Sequence, residues 1–459
     1  MMPLLSGEMP ADPSMFFLTK SIFLSYEISM ISDIPTSSQN PPPQKPIGAK
    51  GEITRAAILD TVHEVFKEMG YYNTSISEIT RRCNVSAATF YRYFKNKEQI
   101  FLQMNDMIIS RFNEMAASLK LEGLDFHGRL REVIRLLYIH SRDNFAFHRM
   151  LGESELIDRV AVDFYGYIAG FIRNFLRREA RSENIRPVNP NIIAYALIGI
   201  CYFQVLRKDK TKDEFPEDKT VDLITELVIN GISGPSRWVK AKDWDILSRP
   251  APAPISTVEG EPMTKGEKTR QMILLSAEKI FGQLGVNRTN IADITRDAGV
   301  AHGTFYIHFE SKGELLEGLV KYANHLIRRD LQRAVVNVRD RRDVERIAIL
   351  VSFEFIQRHK WIYRIVPEFE MINQAVTFWY YNKISEGYIQ GLEQGIHKEQ
   401  IRNLPPAFLA WYLMGYTHFI SLKWIVWPAD SQTKMTNKIT KEVIEFMLYG
   451  IKPDKEQKK

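Results

Sequence analysis

Val85-Ser-Ala-Ala-Thr-Phe-Tyr-Arg-Tyr-Phe-Lys-Asn-Lys97 is the stretch on which the fold turns. It returns 215 residues later as Val300-Ala-His-Gly-Thr-Phe-Tyr-Ile-His-Phe-Glu-Ser-Lys312. In both versions two phenylalanines stand four apart (Phe90 and Phe94, Phe305 and Phe309), one face of a short helix aimed at a core. Ala87, Ala88, Tyr91, Arg92 and Tyr93 are then left for outside work. Working outward, residues 51–97 lie over residues 266–312 without a gap, and 19 of those 47 positions are identical. The match continues faintly through Arg149, Glu153 and Glu155 against Arg364, Glu368 and Glu370. Later, Glu183, Ile185, Arg186, Pro190, Ala194 and Gly199 match Glu399, Ile401, Arg402, Pro406, Ala410 and Gly415. The whole unit is therefore duplicated, not only its first part.

Helical spacing dominates both copies. Ile58, Leu59, Val62, Val65, Phe66 and Met69 make one apolar stripe, and Gly70 follows as a stop signal. Thr74 or Ser75 offers an N-cap with Glu78 placed for a capping box, and Ile76 to Cys83 reads as a short helix. Asn84-Val85 is a tight turn, Ser86 to Phe94 a third helix, and Asn96 caps a fourth. The second copy repeats the order, with helices over 291–298 and 301–309. Longer helices are expected over 130–145, 161–178, 191–207 and 221–232. No strand pattern competes, so the chain is expected to be all-α.

The division expected is a disordered extension at 1–48, a helix-turn-helix domain at 49–97 and a helical domain at 98–240. A Pro-rich linker at 241–264 follows, then a second helix-turn-helix at 265–312, a second helical domain at 313–453 and a basic tail at 454–459. The linker carries Pro250, Pro252, Pro254 and Pro262.

Two short helices after a longer packing helix make a helix-turn-helix, whose second short helix fits the DNA major groove. Small side chains at Ala87 and Ala88 allow close approach to base edges, and tyrosine hydroxyls and Lys97 suit phosphate oxygens. Tyr91/Tyr306 and Lys97/Lys312 stand at matching positions of the two copies, which argues against a mere aromatic cluster. The charge is consistent: eight basic and five acidic residues over 50–97, seven and five over 265–312.

Composition excludes other classes. With 459 residues, 45% of them hydrophobic and 25% charged, the chain is globular and longer than one domain. Two cysteines exclude a disulfide scaffold and a Cys-rich zinc site. The apolar stretch from Met15 to Ile31 contains Lys20 and Glu27, so no membrane span is expected there. No phosphate-cradling glycine loop, His-Glu-x-x-His or Gly-x-Ser-x-Gly elbow occurs, and no catalytic residue, metal site or cofactor is expected.

The quoted stretches resemble the signature of TetR/AcrR-family transcriptional regulators. The resemblance covers both units, is specific in the DNA-binding parts and weak in the helical parts. It implies a small three-helix domain followed by a helical effector and dimerisation domain, with a ligand there releasing the operator. Carried over by position, it implies phosphate contacts from Thr74, Tyr93 and Lys97, and groove contacts from Ala87, Ala88, Thr89, Tyr91 and Arg92. In the second copy the positions are Thr289, His308 and Lys312, then His302, Gly303, Thr304, Tyr306 and Ile307. The copies differ where bases would be read, which argues against a perfect palindrome.

Expected linings of the effector pockets are Phe147, Glu153, Phe164, Tyr195 and Tyr202 in the first unit, and Tyr363, Glu368, Tyr380 and Trp411 in the second. The partners expected are double-stranded operator DNA and a small-molecule effector. The two units are expected to pair within the chain as a pseudodimer, with a homodimer of chains as the alternative. A cytoplasmic, nucleoid-associated repressor is the leading reading. A constitutive DNA-binding or protein-interaction module without ligand response is the other.

Overall fold

The computed structural model describes residues 48–151, 155–211, 215–240, 242, 244–253, 263–363, 365–366, 369, 373–427 and 434–453. Among these the only extended pairing is an isolated bridge between Ser233 and Ile401, so the chain is all-α. The first unit runs α1 (Ala49–Asn73), α2 (Ile76–Arg82), α3 (Ala87–Tyr93), α4 (Lys97–Ala117), α5 (Phe126–Asp143), α6 (Phe145–Met150), α7 (Glu155–Arg181), α8 (Pro190–Thr211) and α9 (Glu217–Asn230). The second runs α10 (Lys265–Leu284), α11 (Ile291–Asp297), α12 (His302–His308), α13 (Lys312–Val335), α14 (Arg341–Arg358), α15 (Gln374–His397), α16 (Pro406–Ser421) and α17 (Asn437–Tyr449).

Local chemistry sets the boundaries. Gly70, at φ 76°, breaks α1 before its nominal end. Ser75 rather than Thr74 caps α2, accepting from the Glu78 amide, because the Thr74 hydroxyl donates to the Gly70 carbonyl at 2.6 Å. Ser86 and Asn96 cap α3 and α4 in the same way. The helix expected over 130–145 starts earlier, at Phe126, because Asp125 accepts from the Gly128 amide. It ends at Asp143, where Asn144 takes φ −112° and ψ 22°.

The two units meet through matched contacts. Helices α8 and α16 pack at their glycines: a Cβ on Gly199 would lie under 3.0 Å from the Gly415 carbonyl oxygen, and one on Gly415 equally close to that of Gly199. Phe419 packs edge-on against Tyr165 (5.0 Å, 85°), and Phe203 repeats this against Tyr381 (5.5 Å, 85°). The chain ends are exchanged as well. The Ile232 amide donates to the Met447 carbonyl and the Ile451 amide to that of Val228, each at 3.0 Å. Such reciprocity is the mark of an isologous interface.

Part of the Pro-rich linker, together with the segment leading into it from Trp238, is docked rather than free. The indoles of Trp238 and Trp244 both donate to the Asp343 carboxylate (3.0 and 2.9 Å), and Arg346 donates to the same carboxylate and to the Ile246 carbonyl. The Arg333 guanidinium and backbone hold Ala253. This stretch lies on α13 and α14 because its tryptophans and Ile246 bury apolar surface there. Composition alone reads it as coil.

Helix α8 contains a segment, Pro190–Asp209, long and apolar enough to cross a bilayer, yet 83% of its most apolar window is buried inside the protein. It is a core helix of the inter-unit contact.

Candidate nucleic-acid interface and effector cavity

The two helix-turn-helix regions expose the same positions. On α3, Ala87, Ala88, Arg92 and Tyr91 (54% exposed) face outward, while Phe90 and Phe94 are buried. On α12, His302, Gly303, Tyr306 (53%) and Ile307 (79%) do so over buried Phe305 and Phe309. Thr89 and Thr304 are half-buried, and the Thr89 hydroxyl lies 2.9 Å from that of Ser86 at the helix start. The two α3-type helices therefore present a chemically unlike surface in one shared geometry.

The positions expected to grip phosphates are differently placed. Thr74 (2% exposed) and Thr289 (1%) are buried, and each hydroxyl donates to the glycine carbonyl four residues back. Tyr93 is 5% exposed and belongs to the core, whereas its counterpart His308 is half-buried. The Lys97 ammonium donates to the Tyr71 and Thr74 carbonyls and sits 4.3 Å from the Tyr71 ring. Lys312 repeats this on the Val286 and Thr289 carbonyls, at 3.0 and 3.2 Å. These residues fix the turn before α2 or α11 to the start of the following long helix.

Cations elsewhere on the first unit divide into tied and untied. Hydrogen bonds from Arg81 and Arg82 pull the Glu78 carboxyl down to about 2, and Arg82 also pairs with Glu68 at 2.7 Å. Arg92 and Lys95 are exposed and have no acidic partner among the described residues. Their counterparts are Ile307 and Glu310.

The second unit holds a cavity of about 390 Å³ between α13, α14, α15 and α16. That is within the ordinary range for small-molecule sites. Its walls include Ile327, Leu331, Phe355, Ile356, Leu413 and Met414, with Arg328, Arg341 and Lys383 as the basic groups. Tyr363 and Tyr380 are among its lining residues. Trp411 is not: it is buried in the core beside Phe203 and Tyr381, at 6.3 Å from each. Glu153 and Glu368 lie outside the described residues.

Sequence reading missed several lining groups. Phe203 comes from the first unit, on α8, and its ring stands 5.2 Å from that of His418. His418 stacks on Tyr363 (4.8 Å, 22°), and burial pulls its pKa down to about 3, so it is a neutral wall. Fully buried Glu345 accepts from Arg341 Nε and the Tyr388 hydroxyl, both of which line the cavity. The 341/345 spacing on an apolar helix was the available signal for this pair.

In the first unit Phe147, Phe164 and Tyr195 are buried and Tyr202 half-buried, all within a packed aromatic cluster. Phe147 stacks on Phe101 at 5.3 Å and meets Phe164 at 5.4 Å, and Tyr202 lies 5.4 Å from Phe145. They read as core. No group of three or more His, Cys, Asp or Glu able to hold a metal occurs among the described residues.

Residues 58–104 and 273–319 each match the model of bacterial regulatory proteins, tetR family. The chain is 20% identical over 181 residues to the HTH-type transcriptional regulator YhgD of Bacillus subtilis, covering 38% of this chain and 95% of that one. It is 26% identical over 157 residues to the nucleoid occlusion factor SlmA of Mannheimia succiniciproducens, covering 32% and 72%. Among solved structures, it is similar to the transcriptional regulator FadR of Bacillus subtilis in complex with stearoyl-CoA, at 18% identity and TM-score 0.32, covering 38% and 96%.

Proposed function

Because this chain belongs to the TetR family of bacterial regulatory proteins and carries two TetR-like units in tandem, we propose that it is a cytoplasmic, nucleoid-associated repressor released from its operator by a small molecule. Helices α3 and α12 enter successive major grooves of one operator. The observation that carries this reading is the shared exposure of Ala87, Ala88, Tyr91 and Arg92 with His302, Gly303, Tyr306 and Ile307 over an identical buried phenylalanine pair. Thr89 and Thr304 stand at the rim of each groove contact, and Lys97 and Lys312 brace the turn behind it. Unlike side chains at the reading positions call for unlike half-sites.

The units pair within the chain in place of a homodimer. The reciprocal glycine and phenylalanine contacts of α8 and α16, and the exchanged backbone bonds at the ends of α9 and α17, support this. The effector is an amphipathic anion, its apolar body among Ile327, Leu331 and Phe355 and its charge toward Arg328, which no carboxylate among the described residues holds as Glu345 holds Arg341 and Glu386 holds Lys383. Release follows from one helix. Helix α13 carries Lys312 at its start, bonded to the turn before α11, and Ile327, Arg328 and Leu331 further along. A ligand that tilts α13 shifts α12 with it.

Selection of binding sites from a random duplex library tests the DNA reading: two unlike half-sites are expected, and a perfect palindrome contradicts it. Solution mass tests the pairing. One chain is 53.3 kDa, and a stable species of twice that mass refutes the intrachain pair.

A further inference from the structure

We propose that only the second unit senses the effector, and that the first unit has filled its own site with its own side chains, so one ligand per chain governs both DNA-binding helices. This rests on the effector-responsive reading above and concerns how that response is divided.

The two units can be compared position by position. Helices α4 and α13 start at Lys97 and Lys312, α5 and α14 at Phe126 and Arg341, and α7 and α15 end at Arg181 and His397. Where the cavity wall has Ile327, Ser352 and Gly387, the first unit has Phe112, Leu137 and Phe171. Each replacement is larger. Phe112 and Leu137 are buried, and Phe112 meets Phe171 edge-on at 5.4 Å and 89°. The volume that is open in one unit is occupied by touching rings in the other.

Charge changes with volume. The three basic groups of the cavity, Arg328, Arg341 and Lys383, correspond to Asn113, Phe126 and Tyr167. The Tyr167 hydroxyl donates to the Asn113 carboxamide at 2.9 Å, a neutral bond where the other unit has exposed Arg328 and a Lys383 paired with Glu386. Glu345 and Tyr388, which hold Arg341, are replaced by buried Leu130 and Ile172. Trp427 of the second unit stacks on Tyr165 of the first (5.8 Å, 16°), adding a further ring from across the interface. Where Val344 lines the cavity the first unit has Arg129, but its guanidinium is paired with Glu179 at 2.7 Å, so the matching positions compared here offer an anion no unpaired cation. The open cavity, by contrast, takes Phe203 from the first unit as part of its wall. The sensing unit therefore needs the silent one to complete its site.

The test is a titration of the full chain with 11-(dansylamino)undecanoate, an apolar chain ending in a carboxylate. The expected result is one probe per chain. Gly387→Phe and Ser352→Leu, which write the first unit's residues into the second, should each weaken binding at least tenfold. Thermal melts by circular dichroism establish that the variants fold; if one does not, the other decides. Two probes per chain, or one probe insensitive to both substitutions in folded protein, overturns the proposal while leaving the effector reading intact. No binding by the parent chain, repeated with dodecyl sulfate and a long-chain acyl-CoA, overturns the effector reading and this proposal with it.

Discussion

Arg92 and Lys95 offer the sharpest check on how the DNA contact is divided. Both are exposed on or just after α3 without an acidic partner among the described residues, whereas the second unit has Ile307 and Glu310 there. Writing those residues into the first unit (Arg92→Ile with Lys95→Glu) removes two cations from the groove side. Each phosphate neutralised on B-DNA contributes about 0.9 to the slope of log K against log salt, so the slope should flatten by about 1.8. Between 50 and 200 mM salt, a fourfold change, that amounts to a roughly 10-fold difference in how much affinity is lost. Fluorescence anisotropy on a random-sequence duplex at several salt concentrations reads this directly, since non-specific binding is the electrostatic component. Arg81→Ala with Arg82→Ala is the control: both guanidiniums are committed to Glu78, and Arg82 also to Glu68. Its slope change should be clearly smaller. Equal changes for the two pairs, or a change under about 0.5 for the first, would show that tied and untied cations do not differ as argued.

Three further outcomes follow from the packing. Lys97→Met should destabilise the free protein by about 1–3 kcal/mol in denaturant melts, because the ammonium holds the Tyr71 and Thr74 carbonyls; a lysine serving only phosphates would leave the melt unchanged. Gly199→Val should cost at least about 1–3 kcal/mol, since its Cβ meets a backbone carbonyl that cannot give way; a melting temperature equal to the parent's would contradict that approach. His140 and His418 are held neutral by burial, their pKa values pulled from 6.5 to about 4 and about 3. The unfolded chain takes up these protons first, so stability is complete above pH 6.5 and falls by about 1.4 kcal/mol per pH unit per group toward pH 4. His418→Leu should flatten that decline, and an unaltered pH profile in urea melts would remove this group from the account.

Much of the DNA-binding half was legible because its signals are local. A cap at Ser86, a turn at Asn84 with φ 53°, and phenylalanines four apart are each decided within one helical turn. The repeat then fixed the register of the second unit from the first. Thr74 and Tyr93 were harder: whether a polar side chain in the turn before a short helix, or on one, points in or out depends on the groups packed behind it. The cavity was illegible for a different reason. Phe112 and Ile327 satisfy the same apolar stripe, yet one closes a space and the other leaves it open. Trp411 fits the same stripe and is core. Phe203 belongs to another unit altogether, and no periodicity within the second unit points to it.

In an ordinary homodimer the two glycines at the crossing of α8 and α16 would be a single codon, and any change there would strike both sides at once. Here Gly199 and Gly415 are separate positions in one gene. A larger residue on one side can therefore be met by a smaller one on the other, a compensation that symmetry forbids when both halves are copies. The same freedom extends to every residue at the seam, so each half can change there independently of the other.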